Sequence, residues 1–341
     1  MKKITINNKV ISSNSPTYII AEIGSNHNNE YALAIELIDK AKEAGVDAVK
    51  FQSFKVKNHY SKFTPNHSNY KKSVYNLIKD LEINKNWMGE IKKYCDKIKI
   101  DVFTSPCDYK SVDEMVRLKT GALKVASFDL TDIKLIEYMS KSDLAIILST
   151  GMATMSDIEN AVIACKKNTN NFALLQCTSI YPAPSSLSNL KTMKTMQSAF
   201  GCLVGYSDHT LGDHVAVAAV AVGAKIIEKH YTLDRSMEGP DHAFAIEPEE
   251  LRFMVEKIRE VENSLGDGIK DGARYEETEN HSFRRSLIAG RDIKKGDILS
   301  EEDIIIKRPG YGIMPINYDI VIGRTALVDI KEDEWITWDK V

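Results

Sequence analysis

Eight short apolar runs, each followed by a stretch with helical periodicity, constrain this chain more than any other feature. The runs are Tyr18–Glu22, Ala48–Gln52, Val102–Ser105, Ala122–Val125, Leu144–Ser149, Phe172–Cys177, Leu203–Tyr206 and Lys225–Glu228. The helical stretches are Tyr31–Ala44, Lys85–Ile98, Ser111–Leu118, Asp132–Met139, Met155–Lys167, Ser188–Ala199, His214–Val222 and Pro248–Leu265. Near-continuous apolar strands separated by helices imply a parallel sheet covered on both faces. Eight such units in roughly 250 residues predict a (β/α)8 TIM barrel. A doubly wound open sheet is the rival, but it ordinarily has fewer strands and no GxGxxG follows the first run. The segment Lys3–Ile11, turning at Asn7-Asn8, reads as a hairpin placed to close the bottom of the barrel.

The pattern changes at Gly266-Asp267-Gly268. Residues 266–281 are polar and glycine-bearing and read as a linker. From Ser282 to Val341 the chain reads as short β segments with tight turns: Ser286–Ala289, Ile304–Lys307 and Thr325–Ile330, with a turn at Lys294–Asp297. The expected organisation is therefore a barrel over 1–265, a linker over 266–281 and a small, mostly β domain over 282–341.

Charge narrows the partners. Lys+Arg 45 against Asp+Glu 48 leaves a net charge of −3, which argues against a nucleic-acid or anionic-membrane coat. No apolar run approaches the ~20 residues of a membrane span. The first residues lack the apolar core of a signal peptide. The five cysteines are odd in number and include no CxxC pair, so neither a disulfide scaffold nor a structural zinc site is expected. The cytoplasm is the expected compartment.

In a parallel barrel the ligand sits at the carboxyl ends of the strands. Here those ends carry Glu22, Lys50 and Gln52, Ser105, Lys124 with Ser127 and Asp129, Ser149-Thr150, Thr178–Tyr181, Ser207-Asp208-His209 and Glu228-Lys229-His230. Strand alternation puts Lys50 with Gln52, Ser207 with His209, and Glu228 with His230 on shared faces, with Lys229 opposite. Each residue type has an ordinary structural role as well. Ser149 and Thr150 suit helix caps. Single histidines usually satisfy hydrogen bonds, and His59, His67, His214 and His281 are read that way, while His27 and His242 sit nearer the mouth. Lys50 and Lys124 would serve structurally as ion-pair partners of Glu22, Asp129 or Glu228, and functionally as an anion site for a phosphate or carboxylate. His209 and His230 end consecutive strands, so their rings can converge on Mn²⁺ or Zn²⁺. The residues alone thus reach a metal-assisted barrel enzyme acting on a small anion, and not a particular reaction.

Six motifs in order carry a resemblance. They are Ala21–His27, Ala44–Gln52, Ser149-Thr150-Gly151-Met152, Gln176–Pro182, Gly205–His209 and Glu228–His230. Together they resemble the sialic acid synthase family, and Lys307–Gly312 resembles that family's C-terminal antifreeze-like (SAF, β-clip) domain. The resemblance implies addition of phosphoenolpyruvate (PEP) through C3 to the aldehyde of an N-acetylated hexosamine, with loss of phosphate by C–O cleavage. It implies a divalent metal, Mn²⁺ (or Mg²⁺/Co²⁺), on His209 and His230. It implies a PEP site of Lys50, Ser105, Lys124, Ser127, Ser149, Ser179 and Ser207. Catalytic roles fall to Glu22, Asp129 and Lys50, and sugar contacts to Gln52, Tyr181 and Asp241. It also implies a domain-swapped homodimer in which Arg308 reaches the partner's barrel; otherwise Arg308 is a surface arginine in a turn.

The chain departs from the family pattern in places. Asp129 stands where Glu is common, Ser179 where Asn is, and Asn28-Asn29 where Gly is. The loop Met237–His242 resembles the Gly-Pro-Asp-His loop of neuraminic and legionaminic acid synthases, which pseudaminic acid synthases tend to lack. The insertion Phe54–Asn84, with Tyr60, His67 and Tyr70, is expected to help select the sugar. A PEP-dependent synthase for phosphorylated aldoses would need further Arg or Lys at the mouth. An inert barrel carrying a binding module would not need two lysines and two histidines at strand ends.

Overall fold

The computed structural model describes residues 2–65, 73–84, 86–270 and 281–341. His67 and Tyr70 lie outside these residues, as does most of the 266–281 segment. The chain divides into two compact units, Met1–Gly266 and Asp267–Val341.

The first unit begins with the hairpin β1 (Lys3–Ile6) and β2 (Lys9–Ser12), which turns at Asn7-Asn8 with Ile6 opposite Lys9. Eight parallel strands follow and close into a barrel: β3 (Tyr18–Gly24), β4 (Ala48–Ser53), β5 (Asp101–Pro106), β6 (Ala122–Val125), β7 (Ala145–Ser149), β8 (Phe172–Cys177), β9 (Leu203–Asp208) and β10 (Ile226–His230). β10 pairs back onto β3, with His230 beside Glu22. The (β/α)8 expectation is met, and the open sheet is excluded by this closure. Among the described residues no helix is long and apolar enough to cross a membrane.

Alternation along the strands generates two cores. Outward residues such as Ile19, Ala21, Val49, Phe51 and Ile227 pack under the helices. Inward residues such as Ile20, Ala48, Phe103, Ile147, Leu175 and Ile226 fill the barrel, and Ile4, Ile6 and Ile11 of the hairpin join them. The hairpin thus seals the bottom, tied at Asn171, which exchanges hydrogen bonds with Thr5 (2.7 and 2.9 Å). Space inside is short: a Cβ on Gly205 would lie 2.3 Å from the Ile226 carbonyl oxygen. One strand face is therefore apolar at its base and polar at its top, which confines the charged groups to one mouth.

Helix chemistry resolves one alternative. Helix Met155–Lys166 is capped by Thr154, whose hydroxyl accepts from Asp157 N (3.2 Å) while the Asp157 carboxylate accepts from Thr154 N (2.8 Å). Ser149 and Thr150 are therefore not its caps.

The second unit pairs Ser286–Ala289 with Ile304–Lys307 antiparallel and packs around Leu287, Ile293, Leu299, Ile313, Val321 and Ile336. The expected strand Thr325–Ile330 does not form. It meets its neighbours through single bridges, Ile298 to Thr325 and Ile293 to Ile330, and not through a continuous ladder. Leu327 and Val328 between them are 52% and 42% exposed, so no continuous buried face drives a ladder there.

The two histidines nearest the mouth loops are structural. His242 is buried and lies 2.6 Å from the Thr232 hydroxyl. His27 is 1% exposed, accepts from Asn29 N (3.0 Å) and packs edge-on to Trp87. Asn28 and Asn29 take positive φ in this turn, a conformation Asn tolerates. Burial lowers the His27 pKa from 6.5 to about 4. In the unfolded chain this imidazole protonates below pH 6.5, and in the folded one only near 4. Its contribution is therefore complete above pH 6.5 and lost as pH falls toward 4. Urea unfolding across this range should show His27→Gln reducing the stability lost in acid by up to about 3 kcal/mol; an unchanged loss would contradict burial of a neutral His27.

Candidate active site

A cavity of about 640 Å³ opens at the carboxyl ends of the strands. Its floor is a buried charge cluster delivered by β3, β4, β6 and β10. Lys50 Nζ lies 2.8 Å from Glu22 Oε2 and 3.8 Å from Glu228 Oε1. Lys124 Nζ lies 3.9 Å from the same Glu228 oxygen. Lys50 donates to Ser105 Oγ (3.2 Å), and Lys124 donates to Ser149 Oγ (2.6 Å) and the Val125 carbonyl (3.0 Å). Ser207 Oγ donates to Glu228 Oε1 (3.2 Å), and Gln52 donates to Glu22 Oε1 (3.1 Å). The second Glu228 oxygen has no hydrogen-bond partner among the described residues.

The two glutamates are driven apart electrostatically. Burial raises the pKa of Glu22, and Lys50 only partly offsets it. Burial also acts on Glu228, but Lys124 and Lys50 override it and hold its pKa below the ordinary value. Burial opposes the charge on Lys50, yet Glu22 and Glu228 keep its pKa raised. Burial wins at Lys124, whose pKa falls. Glu228 thus lies as an anion between two lysines, whereas burial opposes the charge on Glu22 despite its contact with Lys50. Opposite shifts in adjacent carboxyls are the usual physical basis for dividing acid and base roles.

Three hydroxyl-bearing loops enclose the next layer. Ser127 Oγ accepts from Gly151 N (3.1 Å). A Cβ on Gly151 would lie 2.2 Å from Ser179 Oγ, itself unpartnered, and 2.9 Å from Ser127 Oγ. The backbone and two hydroxyls converge there only because residue 151 has no side chain.

His209 and His230 project from adjacent strands with ring centroids 5.3 Å apart. His209 Nδ1 lies 2.7 Å from the Thr178 carbonyl. A carbonyl only accepts, so Nδ1 carries the proton and Nε2 keeps its lone pair. Tyr181 lies against this ring at 4.2 Å. His230 Nδ1 is 3.7 Å from Asp241 Oδ2 and lacks a hydrogen-bond partner. Burial keeps both imidazoles below their ordinary pKa, and His209 further lowers His230. Burial, then Glu22, raises Asp241 to about 7. Two neutral imidazoles with lone pairs fit a divalent cation.

The cavity therefore gathers Glu22, Lys50, Gln52, Ser105, Lys124, Ser127, Asp129, Ser149, Tyr181, Ser207, His209, Asp241 and His230, and Tyr60 joins them. Arg308 lies in the second unit, exposed and preceding a cis peptide bond to Pro309. From the sequence Glu228 reads as an ion-pair partner of a lysine, and its place two residues before His230 puts it on the same face. His59 and Cys107 also line the cavity, and no local pattern in the sequence singles them out.

Residues 37–270 match the NeuB family and residues 284–341 the SAF domain. An N,N'-diacetyllegionaminic acid synthase of Campylobacter jejuni is 42% identical over 333 residues, covering 94% of this chain and 98% of that protein. A pseudaminic acid synthase of the same species is 33% identical over 327 residues, covering 94% and 95%. The crystal structure of an N-acetylneuraminic acid (sialic acid) synthetase from Leptospira borgpetersenii, in complex with citrate, superposes with a TM-score of 0.75 at 35% identity. It covers 82% of this chain and 97% of that one. A closed barrel whose polar mouth carries two lysines and two histidines, on a chain aligned with these synthases almost end to end, belongs to the NeuB family and ends in a SAF domain.

Proposed function

We propose that the chain condenses PEP with an N-acetylated mannosamine-type sugar to give a nine-carbon 2-keto-3-deoxy sugar and phosphate. The observation that carries this reading is the pair of buried lysines sharing one glutamate at distances beyond hydrogen bonding. A small, highly charged anion fits such a pair. Lys50 and Lys124 bind the PEP carboxylate and phosphate, and Ser105, Ser127, Ser149, Ser179 and Ser207 supply hydroxyls to the same oxygens. PEP C3 forms the new bond to the sugar aldehyde carbon, water adds at C2, and the C2–O bond to phosphate breaks. Glu22 gives its proton to the new hydroxyl oxygen and can recover one from the water. Glu228 stays ionised and holds both lysines in place. Gln52, Tyr181, Asp129 and Asp241 orient the open-chain sugar.

His209 and His230 are the residues to hold a divalent cation, Mn²⁺ (or Mg²⁺/Co²⁺), which when bound polarises the sugar carbonyl as a Lewis acid. The Gly239-Pro240-Asp241 loop and the 42% identity to a diacetyllegionaminic acid synthase favour 2,4-diacetamido-2,4,6-trideoxymannose as the sugar. N-acetylmannosamine is the next candidate, and the pseudaminic precursor follows on the lower identity of 33%. Catalysis is placed in the barrel of residues 1–265, joined through 266–281 to the domain of residues 282–341. By family resemblance the enzyme is a cytoplasmic homodimer in which Arg308 of one protomer meets the sugar's N-acetyl group in the other's barrel.

Two measurements check this reading. Phosphate release from PEP with Mn²⁺ should require the sugar and be fastest with 2,4-diacetamido-2,4,6-trideoxymannose among that sugar, N-acetylmannosamine and the corresponding altrose. Exhaustive chelation should abolish it, and His230→Ala should lower it by about 100-fold or more. Turnover that survives chelation would contradict the metal role. Mixing Arg308→Ala protomers with protomers inactivated at Lys50 should restore activity in heterodimers; isolated heterodimers without activity would contradict the swap.

A further inference from the structure

The cavity has a second cluster of metal-ligating side chains, on the β4–β6 side of the mouth and away from the strands that carry His209 and His230. His59 ends the short helix Val56–His59 after β4. Cys107 follows β5, and Asp129 ends the turn Ser127–Asp129 after β6. One nitrogen, the sulfur and one carboxylate oxygen all lie within 4.8 Å of one another. Cys107 Sγ is 3.7 Å from Asp129 Oδ2. Sulfur and oxygen on one tetrahedral Zn²⁺ would be about 3.5 Å apart, given the usual bond lengths. This is the one such three-residue group among the described residues.

The cluster is held from outside the cavity. Glu82 accepts from Val56 N (2.7 Å) and Lys55 Nζ (3.0 Å) at the start of the short helix. Asn58 donates to Asp108 Oδ2 (2.8 Å), fixing the helix to the residue after Cys107. Asp108 in turn accepts from Ser111 N (2.8 Å). The His59 ring stacks on Phe54 at 5.6 Å, and Cys107 N donates to the Ser53 carbonyl (3.3 Å).

We propose that His59, Cys107 and Asp129 form a second metal site, which takes a thiophilic divalent cation of the zinc class. A thiolate favours Zn²⁺ over the Mn²⁺ suited to harder donors. The Cys107 thiol releases its proton to solvent as the sulfur coordinates. Three protein ligands leave the fourth position open to the cavity. Filling the site engages Asp129 and removes that carboxylate from the sugar, so the cation acts as an inhibitor. The absence of a CxxC pair is no obstacle, because three strand ends bring the ligands together.

Binding is measured without either substrate, so its failure and failure of the synthase reading are distinguishable. Anaerobic titration of the full chain with Co²⁺ should develop a near-ultraviolet thiolate-to-cobalt charge-transfer band, removed by Zn²⁺ in excess of both metal sites. Cys107→Ser should abolish the band while circular dichroism shows an intact fold. His59→Gln should shift its midpoint by about tenfold or more. His230→Ala and Cys177→Ser should both retain it; Cys177 is the control because its sulfur lies 3.7 Å from His209 Nδ1. No band in the unaltered protein, a band that survives Cys107→Ser, or an unshifted midpoint in His59→Gln would each overturn the site.

Discussion

Two ammonium groups buried at the top of a barrel set the terms for everything around them. Lys50 and Lys124 are 3% and 2% exposed, and an unpaired charge at that depth would be costly. The fold answers with Glu228 between them, Glu22 against Lys50, and a serine hydroxyl on each lysine. The pairs to Glu228 are long, at 3.8 and 3.9 Å, while Glu22 and Ser149 hold the two ammonium groups at closer range. The apolar layer below, sealed by Ile4, Ile6 and Ile11, leaves the charge nowhere to spread but the mouth.

The same strand alternation secures the histidines. Asp208 and Lys229 sit directly opposite each other in the β9–β10 register, on the reverse face from His209 and His230. Lys229 Nζ donates to Asp208 Oδ2 (2.7 Å) and to the Thr210 carbonyl, and both side chains are almost fully buried. This ion pair crosses between the two strands whose ends carry the histidines. The imidazoles are thus spaced by backbone pairing and by a clamp behind it.

Much of this was legible in the sequence because apolar runs and strand ends are local signals. The runs at 122–125 and 172–177 coincide with strands, and the mouth residues follow from where the runs stop. The last two barrel strands run two residues beyond their apolar stretches, because the ladder continues through Glu228–Ser207 and Lys229–Asp208 after the hydrophobic pattern has ended. Glu228, the last residue of its run, is readable as an ion-pair partner of either lysine, but that both lysines approach the same oxygen depends on closure of the barrel. Thr325–Ile330 does not form a strand for the converse reason: its buried residues, Ala326 and Ile330, are separated by the exposed Leu327 and Val328. The cluster of His59, Cys107 and Asp129 has no local signature, since three separate loops must fold before its members meet.

The central claim is that Lys50 and Lys124 are the PEP anion site and that Glu228 keeps them available. Calorimetric titration of metal-free protein with PEP tests it most directly, with Lys124→Met compared to the unaltered chain at equal foldedness. Loss of one buried charge-assisted contact should weaken PEP binding by about two to three orders of magnitude. Unchanged affinity in a folded Lys124→Met protein would contradict the account.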